Sequence, residues 1–441
     1  MIFLLILIIL SFWNWDLVSD QQAILAAFCV CVAFLLIRTK RSYAIAIFMS
    51  FLAVFQWLLS AVLYYSDLNP GQRLEISQMQ LKADDYFSFA IPATLMFVLG
   101  LMTVTNRGMI WHKIRERIAS TGNSKRSVTL IIIGMLSSFL SPYVPLFLKL
   151  PLYFVGLFGW VGLARVVLRT NRSSAEKFWA SIFTLFIVYW AFSSSMFSDL
   201  VIGFGLIALF YIFQRQFSLP RKLALISIGL VLVTSIQIAK PYLRVMRLNS
   251  GISTYEAMRT IGNSGMFNPD YIASDRFVAY SIARFNQASV ITWVMKRTPR
   301  MEPHTGGSTV INAVVGSFIP RAVWPDKPVS GTALYLKYTG LEFEGASYGV
   351  SQLGEAYINF GRKWTWLFMF ILGAFYAGIF KLMTNLASRR TEFLFFLPAI
   401  FLHTVKVETD INRSLGFMLR YIVFLFVLNY FLKIAFNRRL F

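Results

Sequence analysis

Residues 364–384 read WTWLFMFILGAFYAGIFKLMT, an apolar run whose only charged residue is Lys381. An α-helix needs about 20 mostly apolar residues to cross the hydrocarbon core of a bilayer. The rest of the chain has a similar composition, because 57% of its 441 residues are hydrophobic and only 14% are charged. A soluble protein carries about a quarter charged residues. The sequence therefore predicts an all-α polytopic membrane protein.

Apolar runs of this kind predict about twelve transmembrane helices. Their approximate bounds are 1–14, 22–37, 42–65, 86–105, 128–146, 150–168, 178–195, 198–213, 223–239, 364–384, 393–407 and 415–434. The first run lacks the basic start and the small-residue cleavage site of a secretory signal. We therefore expect it to remain in the protein as the first helix.

The charges of the loops predict the orientation of the chain. One set of alternating loops, from 38–41 to the tail after residue 434, holds 20 Lys and Arg. The short loops of the other set hold 5. Because Lys and Arg concentrate in cytoplasmic loops, the first set is expected inside. Both termini are then cytoplasmic.

This orientation divides the chain into three predicted regions. Residues 1–239 form an N-terminal bundle of about nine helices, and residues 364–441 form about three more. Between them, residues 240–363 form one large periplasmic loop with 14 Lys and Arg against 8 Asp and Glu, a net charge of +6. The positive-inside rule does not govern long loops, so this excess needs a different cause.

The composition also argues against several classes of function. A formal net charge of +22 would suggest nucleic acid in a soluble protein, but the cytoplasmic loops account for most of it here. Cys29 and Cys31 lie two residues apart in an apolar run, so we expect neither a disulfide nor a chelate. No His, Cys, Asp and Glu spacing typical of a metal site is found, and we expect no metal and no cofactor.

A polar stripe runs along a predicted amphipathic helix in the large loop. Arg276, Tyr280 and Arg284 are four residues apart and would share one helix face. Two guanidinium groups beside a phenol suit a phosphate and a sugar ring. The alternative is an ordinary surface stripe paired with acids such as Asp275.

Residues 304–308 read His-Thr-Gly-Gly-Ser and predict a glycine turn. Glycine lets the backbone approach a ligand and direct N–H groups towards it. His304 is a candidate general acid or base, although a single loop histidine is more often polar surface.

A proline-rich string, FIPRAVWPDKP, occupies residues 318–328. Its three prolines exclude regular helix and predict a stiff extended segment. Arg321 and Lys327 suit a diphosphate, and Trp324 suits a sugar face or the bilayer interface. A rigid connector with interfacial anchors is the equal alternative.

The last string of the loop, GEAYINFG at residues 354–361, directly precedes a predicted span. Glu355 and Asn359 lie one helical turn apart and would share a face. A carboxylate at this place can take a proton from a sugar hydroxyl, so Glu355 is our candidate base. The alternative is an acid favoured by the dipole at a helix start.

Together, the strings GGS, IPRAVWPDKP and GEAYINFG resemble the Wzy-type oligosaccharide repeat-unit polymerases of bacterial O-antigen, capsule and exopolysaccharide assembly. The resemblance covers roughly residues 270–420 and implies a helical membrane glycosyltransferase fold of the GT-C-like type in the bacterial inner membrane. The implied reaction transfers a growing glycan from undecaprenyl diphosphate to a second lipid-linked repeat unit.

The resemblance also implies roles for the candidate residues. Arg and Lys would bind the lipid diphosphate, and Glu355 would accept the acceptor proton. Glu408, Asp410 and Arg413 stand where relatives often carry an arginine–acid motif, so the acids Glu408 and Asp410 offer a second candidate for the base. Which arginine serves the donor and which the acceptor stays open.

Expected partners are membrane lipid, the undecaprenyl-diphosphate-linked oligosaccharides, a chain-length regulator and a flippase. Three other functions remain open. An O-antigen ligase shares the topology and the donor. A lipid-linked oligosaccharide flippase or transporter would need ionisable residues within the membrane. A scaffold subunit of an export complex would tolerate single substitutions in the loop.

Overall fold

The structure is a computed structural model, and it describes most of the chain from residue 44 onward. The described residues are 44–65, 78–103, 118, 124–194, 197–215, 217–218, 220–221, 224–225, 228–229, 254–263, 268, 270, 274, 285–319, 323–324, 331–341, 349–437 and 440–441. Within these residues all regular structure is helical and no β-strand occurs. The predicted all-α class is therefore confirmed for the described part of the chain.

Several described helices are long and apolar enough to cross a membrane. Seven segments meet this condition, namely Ile45–Val62, Ala83–Met102, Ser124–Tyr143, Leu146–Leu168, Ser174–Ser193, Gln352–Arg389 and Ile411–Phe436. Ser198–Ile212 is a shorter apolar helix. These lengths and compositions are those of a helical membrane protein.

The α-helices are numbered in chain order. They are α1 Ala44–Val54, α2 Ser60–Tyr65, α3 Ala83–Met102, α4 Ser124–Leu140, α5 Leu146–Gly156, α6 Phe158–Leu168, α7 Ser174–Ser194, α8 Ser198–Arg215, α9 Thr254–Asn263, α10 Gln287–Arg297, α11 Ser308–Phe318, α12 Thr332–Thr339, α13 Gln352–Arg389, α14 Leu397–Ile400 and α15 Ile411–Phe436. A π-helical segment, Phe55–Leu59, joins α1 to α2, and 3₁₀ segments span Ser141–Tyr143 and Thr391–Phe396.

One predicted span is irregular in the structure. The run 393–407 forms the end of the 3₁₀ segment Thr391–Phe396, the four-residue α14 and hydrogen-bonded turns up to residue 405. Residues 393–402 are buried, so their backbone groups can bond inside the protein without a regular helix. The predicted spans 1–14 and 22–37, and nearly all of 223–239, lie outside the described residues.

The chain divides into two compact units that interleave along the sequence. The first comprises Met1–Thr105, Gly265–Phe380 and Thr404–Phe417, and the second comprises Asn106–Ser264, Lys381–His403 and Met418–Phe441. These units are defined by which residues pack together. The regions 1–239, 240–363 and 364–441 are defined by the predicted membrane topology. That topology stays a prediction.

Small residues bring helices close together in the first unit. A Cβ atom at Gly100 of α3 would collide with the Phe370 carbonyl of α13. A Cβ atom at Gly373 of α13 would collide with the Phe97 carbonyl of α3. Glycines allow this approach, which is how helices pack when lipid removes the hydrophobic force between them.

A buried hydrogen-bond chain fixes the start of α13 in the first unit. The π-helical segment holds Trp57, which is fully buried, and the Trp57 carbonyl accepts a bond from Tyr86 Oη at 2.7 Å. The Trp57 indole donates to Ser351 Oγ at 2.8 Å, and Ser351 Oγ donates to the Val407 carbonyl at 3.0 Å. This chain positions the residue directly before α13, which begins at Gln352.

The second unit combines close glycine packing with a buried ion pair. A Cβ atom at Gly134 of α4 would collide with the backbone of Gly159 of α6. Arg165 of α6 is fully buried, donates to Ser127 Oγ at 3.1 Å and pairs with the Glu392 carboxylate. A buried cation is tolerated because it has both a partner charge and a hydrogen bond.

Candidate functional site

Glu355 lies one turn into α13 and is fully buried. Its Oε1 accepts a hydrogen bond from Thr309 Oγ1 at 2.6 Å, and its Oε2 accepts one from the backbone N–H of Ile411 at 2.5 Å. Each carboxylate oxygen is therefore engaged by a donor from another part of the chain. Ile411 is the first residue of α15, so the Glu355 charge sits at the positive end of that helix.

Asn359 extends this arrangement by one helical turn. Its Nδ2 donates to Thr309 Oγ1 and to the Glu355 carbonyl, both at 2.7 Å. Its Oδ1 accepts from Thr305 Oγ1, also at 2.7 Å. An unbroken chain of hydrogen bonds therefore runs from the Thr305 hydroxyl through the Asn359 amide and the Thr309 hydroxyl to the Glu355 carboxylate. Such a closed polar network orders every side chain that belongs to it.

The glycine turn at 304–307 caps the first part of α13. Gly361 has φ +60°, which interrupts the helix and leaves carbonyl groups before it without their normal partners. The N–H groups of Thr305 and Gly306 donate to the carbonyls of Ile358 and Asn359 at 3.0 and 3.1 Å. These two N–H groups therefore serve the end of the helix.

His304 lies on the exposed side of the same turn. Its Nδ1 is 3.3 Å from the Ile358 carbonyl oxygen, and its ring stands edge-on to Tyr357 with the centroids 5.5 Å apart. Within the described residues it makes no hydrogen bond to Glu355 or Asp410. The structure thus separates this candidate acid or base from the two buried carboxylates.

Asp410 is the N-cap residue of α15 and is fully buried. Its Oδ1 accepts from the backbone N–H of Arg413 at 2.6 Å, as expected for an aspartate three residues before a helical N–H. Its Oδ2 is buried near Gly331 and meets the geometry of a hydrogen bond with no described residue. One oxygen therefore holds the helix, and the other is buried beside the backbone of Gly331.

The electrostatics of Asp410 follow from its surroundings. Burial raises the pKa of the Asp410 carboxyl, because a charge is poorly solvated there. The backbone N–H and the charge of Arg413, with the nearby backbone of Gly331, act in the opposite direction. The net result is a pKa above the ordinary aspartate value. Such a carboxylate is a stronger proton acceptor than an exposed one.

Gly331 allows the Arg413 guanidinium to approach Asp410. Gly331 has φ +74°, and a Cβ atom there would lie 2.7 Å from Arg413 Nη2 and 3.7 Å from Asp410 Oδ2. Any larger residue would therefore displace the guanidinium. Arg413 is half-buried, so it can reach both Asp410 and an anion at the surface of the unit.

These residues form one polar site, which we call the carboxylate cluster. Its members are Thr305, Thr309, Glu355, Asn359, Asp410 and Arg413. The sequence predicted four of them and missed the two threonines. Thr305 and Thr309 are four residues apart, like Glu355 and Asn359, and that matched spacing was the available signal. The cluster joins two carboxylates to a cation, which suits proton transfer beside an anion.

The other candidate residues lie elsewhere or outside the description. Trp324 is half-buried, in the turn that follows α11. Five candidates fall outside the described residues, namely Arg276, Tyr280, Arg284, Arg321 and Lys327. Among the described residues no three His, Cys, Asp or Glu side chains could hold a metal ion together.

A second polar group lies in the second unit. Tyr153 Oη of α5 is 2.8 Å from His403 Nε2 and donates to Asp199 Oδ2 of α8 at 3.3 Å. These three residues are far apart in the sequence, and their meeting was not predicted. A hydrogen-bonded chain of ionisable groups among apolar helices is typical of a functional position.

No protein-family model matches the chain, and comparisons with curated proteins and with solved structures give no match.

Proposed function

We propose that the protein is a membrane glycosyltransferase that polymerises lipid-linked oligosaccharide repeat units. The observation behind this proposal is that three separate motif segments supply the carboxylate cluster. The turn at 304–308, the string at 354–361 and the outer turn at 408–413 each contribute to it. The same segments carry or flank the resemblance to the Wzy-type polymerases, so their convergence supports a shared reaction.

The reaction breaks the bond between the anomeric carbon of the donor glycan and the oxygen of its lipid diphosphate. A new bond forms between that carbon and a hydroxyl oxygen of the acceptor sugar. The hydroxyl proton must pass to a base, and the diphosphate leaves with the bonding electron pair. A base and a nearby cation are therefore the two groups that the protein must supply.

Between the two buried acids, Asp410 is the better base. Both oxygens of Glu355 already accept hydrogen bonds, whereas Asp410 Oδ2 accepts none within bonding geometry from a described residue. For the acceptor hydroxyl to reach the buried Oδ2, Gly331 or Arg413 must move aside, because the other oxygen is bonded to α15.

Glu355 then acts as a positioning residue. It holds the N–H of the peptide bond that joins Asp410 to Ile411, so it fixes the backbone from which the base projects. Asn359 and the two threonines hold Glu355 in turn. Arg413 stands beside Asp410, where it would bind the leaving diphosphate and stabilise its developing charge.

Complementation of a deletion strain tests the class of function. The strain would receive the wild type, Asp410→Ala or Glu355→Ala at matched expression, with Glu302→Ala as a control acid in the same unit. Glycan length on a gel is the readout. Single-repeat glycan in both cluster variants, with normal polymer in the control, supports a polymerase.

Other outcomes of this experiment point to other functions. Long polymer retained on its lipid carrier in the deletion strain would indicate the O-antigen ligase. Absence of any glycan at the outer face would indicate the flippase. Normal polymer in both cluster variants would contradict the assignment of the site.

One observation favours transport of the lipid-linked oligosaccharide as a second candidate function. The group joins Tyr153 and Asp199 of the apolar helices α5 and α8 to His403 of the turn after α14, and such chains of ionisable residues are a feature of proton-coupled carriers. Reconstituted vesicles with a pH gradient test it by measuring translocation of a labelled lipid-linked repeat unit. Gradient-dependent movement that is lost in Tyr153→Phe would support transport, and no movement in the wild type would exclude it.

A further inference from the structure

The helix α11 has an apolar side that the protein leaves uncovered. We call this side the apolar face of α11, and it consists of Ile311 (60% exposed), Val314 (37%), Val315 (42%) and Phe318 (57%). Their spacing of three and four residues places them on one stripe of the helix. The opposite side is buried and holds the small residues Ala313 and Gly316. A helix that faces water shows the opposite pattern, with its apolar side chains buried and its polar side chains exposed.

Other helices of the same region show the opposite pattern. The described residues of α10 and α12 expose Lys296 and Lys337 to solvent, while Ile291 and Tyr335 are buried. Residues 240–363 therefore include helices that expose charged side chains, as helices in water do, and one helix that exposes an apolar stripe. The exposed apolar stripe therefore distinguishes α11 from α10 and α12.

The start of α11 is fixed at the head of a candidate membrane span. Gly307 directly precedes α11, and a Cβ atom there would touch the Phe360 ring at 3.5 Å. Thr305 and Gly306 bond the carbonyls of Ile358 and Asn359, just before the helix break at Gly361. The N-terminal end of α11 thus lies beside the point where the apolar part of α13 begins.

The neighbouring part of α13 has an exposed stripe of the same kind. Trp364, Leu367, Ile371 and Phe375 are exposed, and they recur at helical spacing along the apolar run. In a helical membrane protein such a stripe faces lipid. The start of α11 lies beside Phe360, four residues before this run.

We propose that α11 lies in the bilayer, with the apolar face of α11 against lipid acyl chains. In the sequence, the residues that follow it include Arg321, Trp324 and Lys327. Tryptophan prefers the membrane interface, and basic residues are attracted to anionic lipid headgroups. Thr309 of α11 donates a hydrogen bond to Glu355. The same helix would therefore contact lipid on one side and the carboxylate cluster on the other. This position is independent of which reaction the protein catalyses.

Spin labels on the full chain test the position of α11. Labels would be attached at Ile311→Cys and Val315→Cys, in a background with Cys29→Ser and Cys31→Ser. The protein would be reconstituted in liposomes of phosphatidylethanolamine and phosphatidylglycerol. Ile371→Cys is the control in lipid, and Arg300→Cys is the control in water, because both residues are exposed. Collisions of each label with oxygen and with a water-soluble nickel chelate are measured by power saturation.

The proposal predicts that the labels at 311 and 315 behave like the label at 371. Oxygen collisions should exceed those at 300 several-fold, and nickel collisions should be several-fold fewer. Nickel collisions equal to those at 300 would place α11 in water and overturn the proposal. Few collisions with either reagent would also overturn it, since a protein partner or a second copy would then cover the helix.

Discussion

Glu355 and Ile411 are joined by a hydrogen bond of 2.5 Å between a carboxylate oxygen and a backbone N–H, although 56 residues separate them in the sequence. The bond brings the first turns of α13 and α15 together and places Asp410 within the same cluster. Because Asp410 caps α15 at the same place, two acids share one helix start. Glu355 can therefore be tested as a structural residue and Asp410 as a chemical one.

Replacement of Glu355 by alanine is expected to destabilise the first unit. It leaves the Ile411 N–H and the Thr309 hydroxyl without acceptors in a buried place, and each unsatisfied group costs about 1–3 kcal/mol. Thermal unfolding of the purified protein in detergent measures the effect. Glu302→Ala is the control, since this half-buried acid pairs with the exposed Lys337 and should change stability by about 0.5 kcal/mol at most. Equal unfolding midpoints for the two variants would contradict the prediction.

Gly361→Ala is expected to be destabilising because of the backbone at the helix break. A φ of +60° costs a residue with a Cβ atom about 1–2 kcal/mol, and His304 Nε2 would lie only 3.2 Å from that atom. Gly354→Ala is the matched control in the same helix, because its Cβ atom would meet only ordinary contacts at 3.6 Å or more. The two unfolding midpoints should differ by several degrees. A control variant that is as unstable as Gly361→Ala would disagree with this reasoning.

Gly373→Ala is expected to disturb the packing of α13 on α3. Its Cβ atom would collide with the Phe97 carbonyl, and backbone cannot move aside as a side chain can. Overpacking of this kind costs about 1–3 kcal/mol. At Gly378, five residues further along, nothing lies within 4 Å of a new Cβ atom, so Gly378→Ala should be neutral or slightly stabilising. Thermal unfolding of the two variants compares them directly, and similar losses would show that the close approach is unimportant.

The pH dependence of polymerisation should report Asp410. A base must be deprotonated to act, so the rate should rise with pH through the pKa of Asp410, which burial raises above its ordinary value. Arg413 lowers that pKa, and Arg413→Gln should therefore move the midpoint of the profile to higher pH. The measurement is the rate at saturating substrate against pH. Arg413→Lys keeps the charge and should move the midpoint less. An unchanged midpoint of the pH profile in both variants would show that Arg413 does not affect the group whose titration sets the rate.

Much of the helical architecture could be predicted from hydrophobic runs alone. The predicted spans 86–105 and 178–195 correspond to α3, Ala83–Met102, and α7, Ser174–Ser194. Runs of this length fold as helices because lipid offers no partners for the backbone. The run 393–407 differs because it is buried in protein, where other partners exist. Burial of that kind depends on tertiary packing and is not visible in a hydropathy pattern.

The site was predictable only within each segment. Glu355 and Asn359 are four residues apart, about one helical turn, and this spacing was enough to place them on one helix face. The partners of Glu355 come from segments 46 and 56 residues away, at Thr309 and Ile411, and no local pattern specifies such pairings. The meeting of Tyr153 with His403, 250 residues apart, was unpredictable for the same reason.

Asp410→Asn tests whether Asp410 accepts the proton of the acceptor hydroxyl. Asparagine caps a helix about as well as aspartate, so α15 should keep its start while the base is lost. The purified variant would be incubated with lipid-linked repeat units, and polymer formation would be followed on a gel. We expect an unfolding midpoint close to that of the wild type and a loss of polymerisation by a factor of about 10² or more. Normal polymer from the folded variant would contradict it.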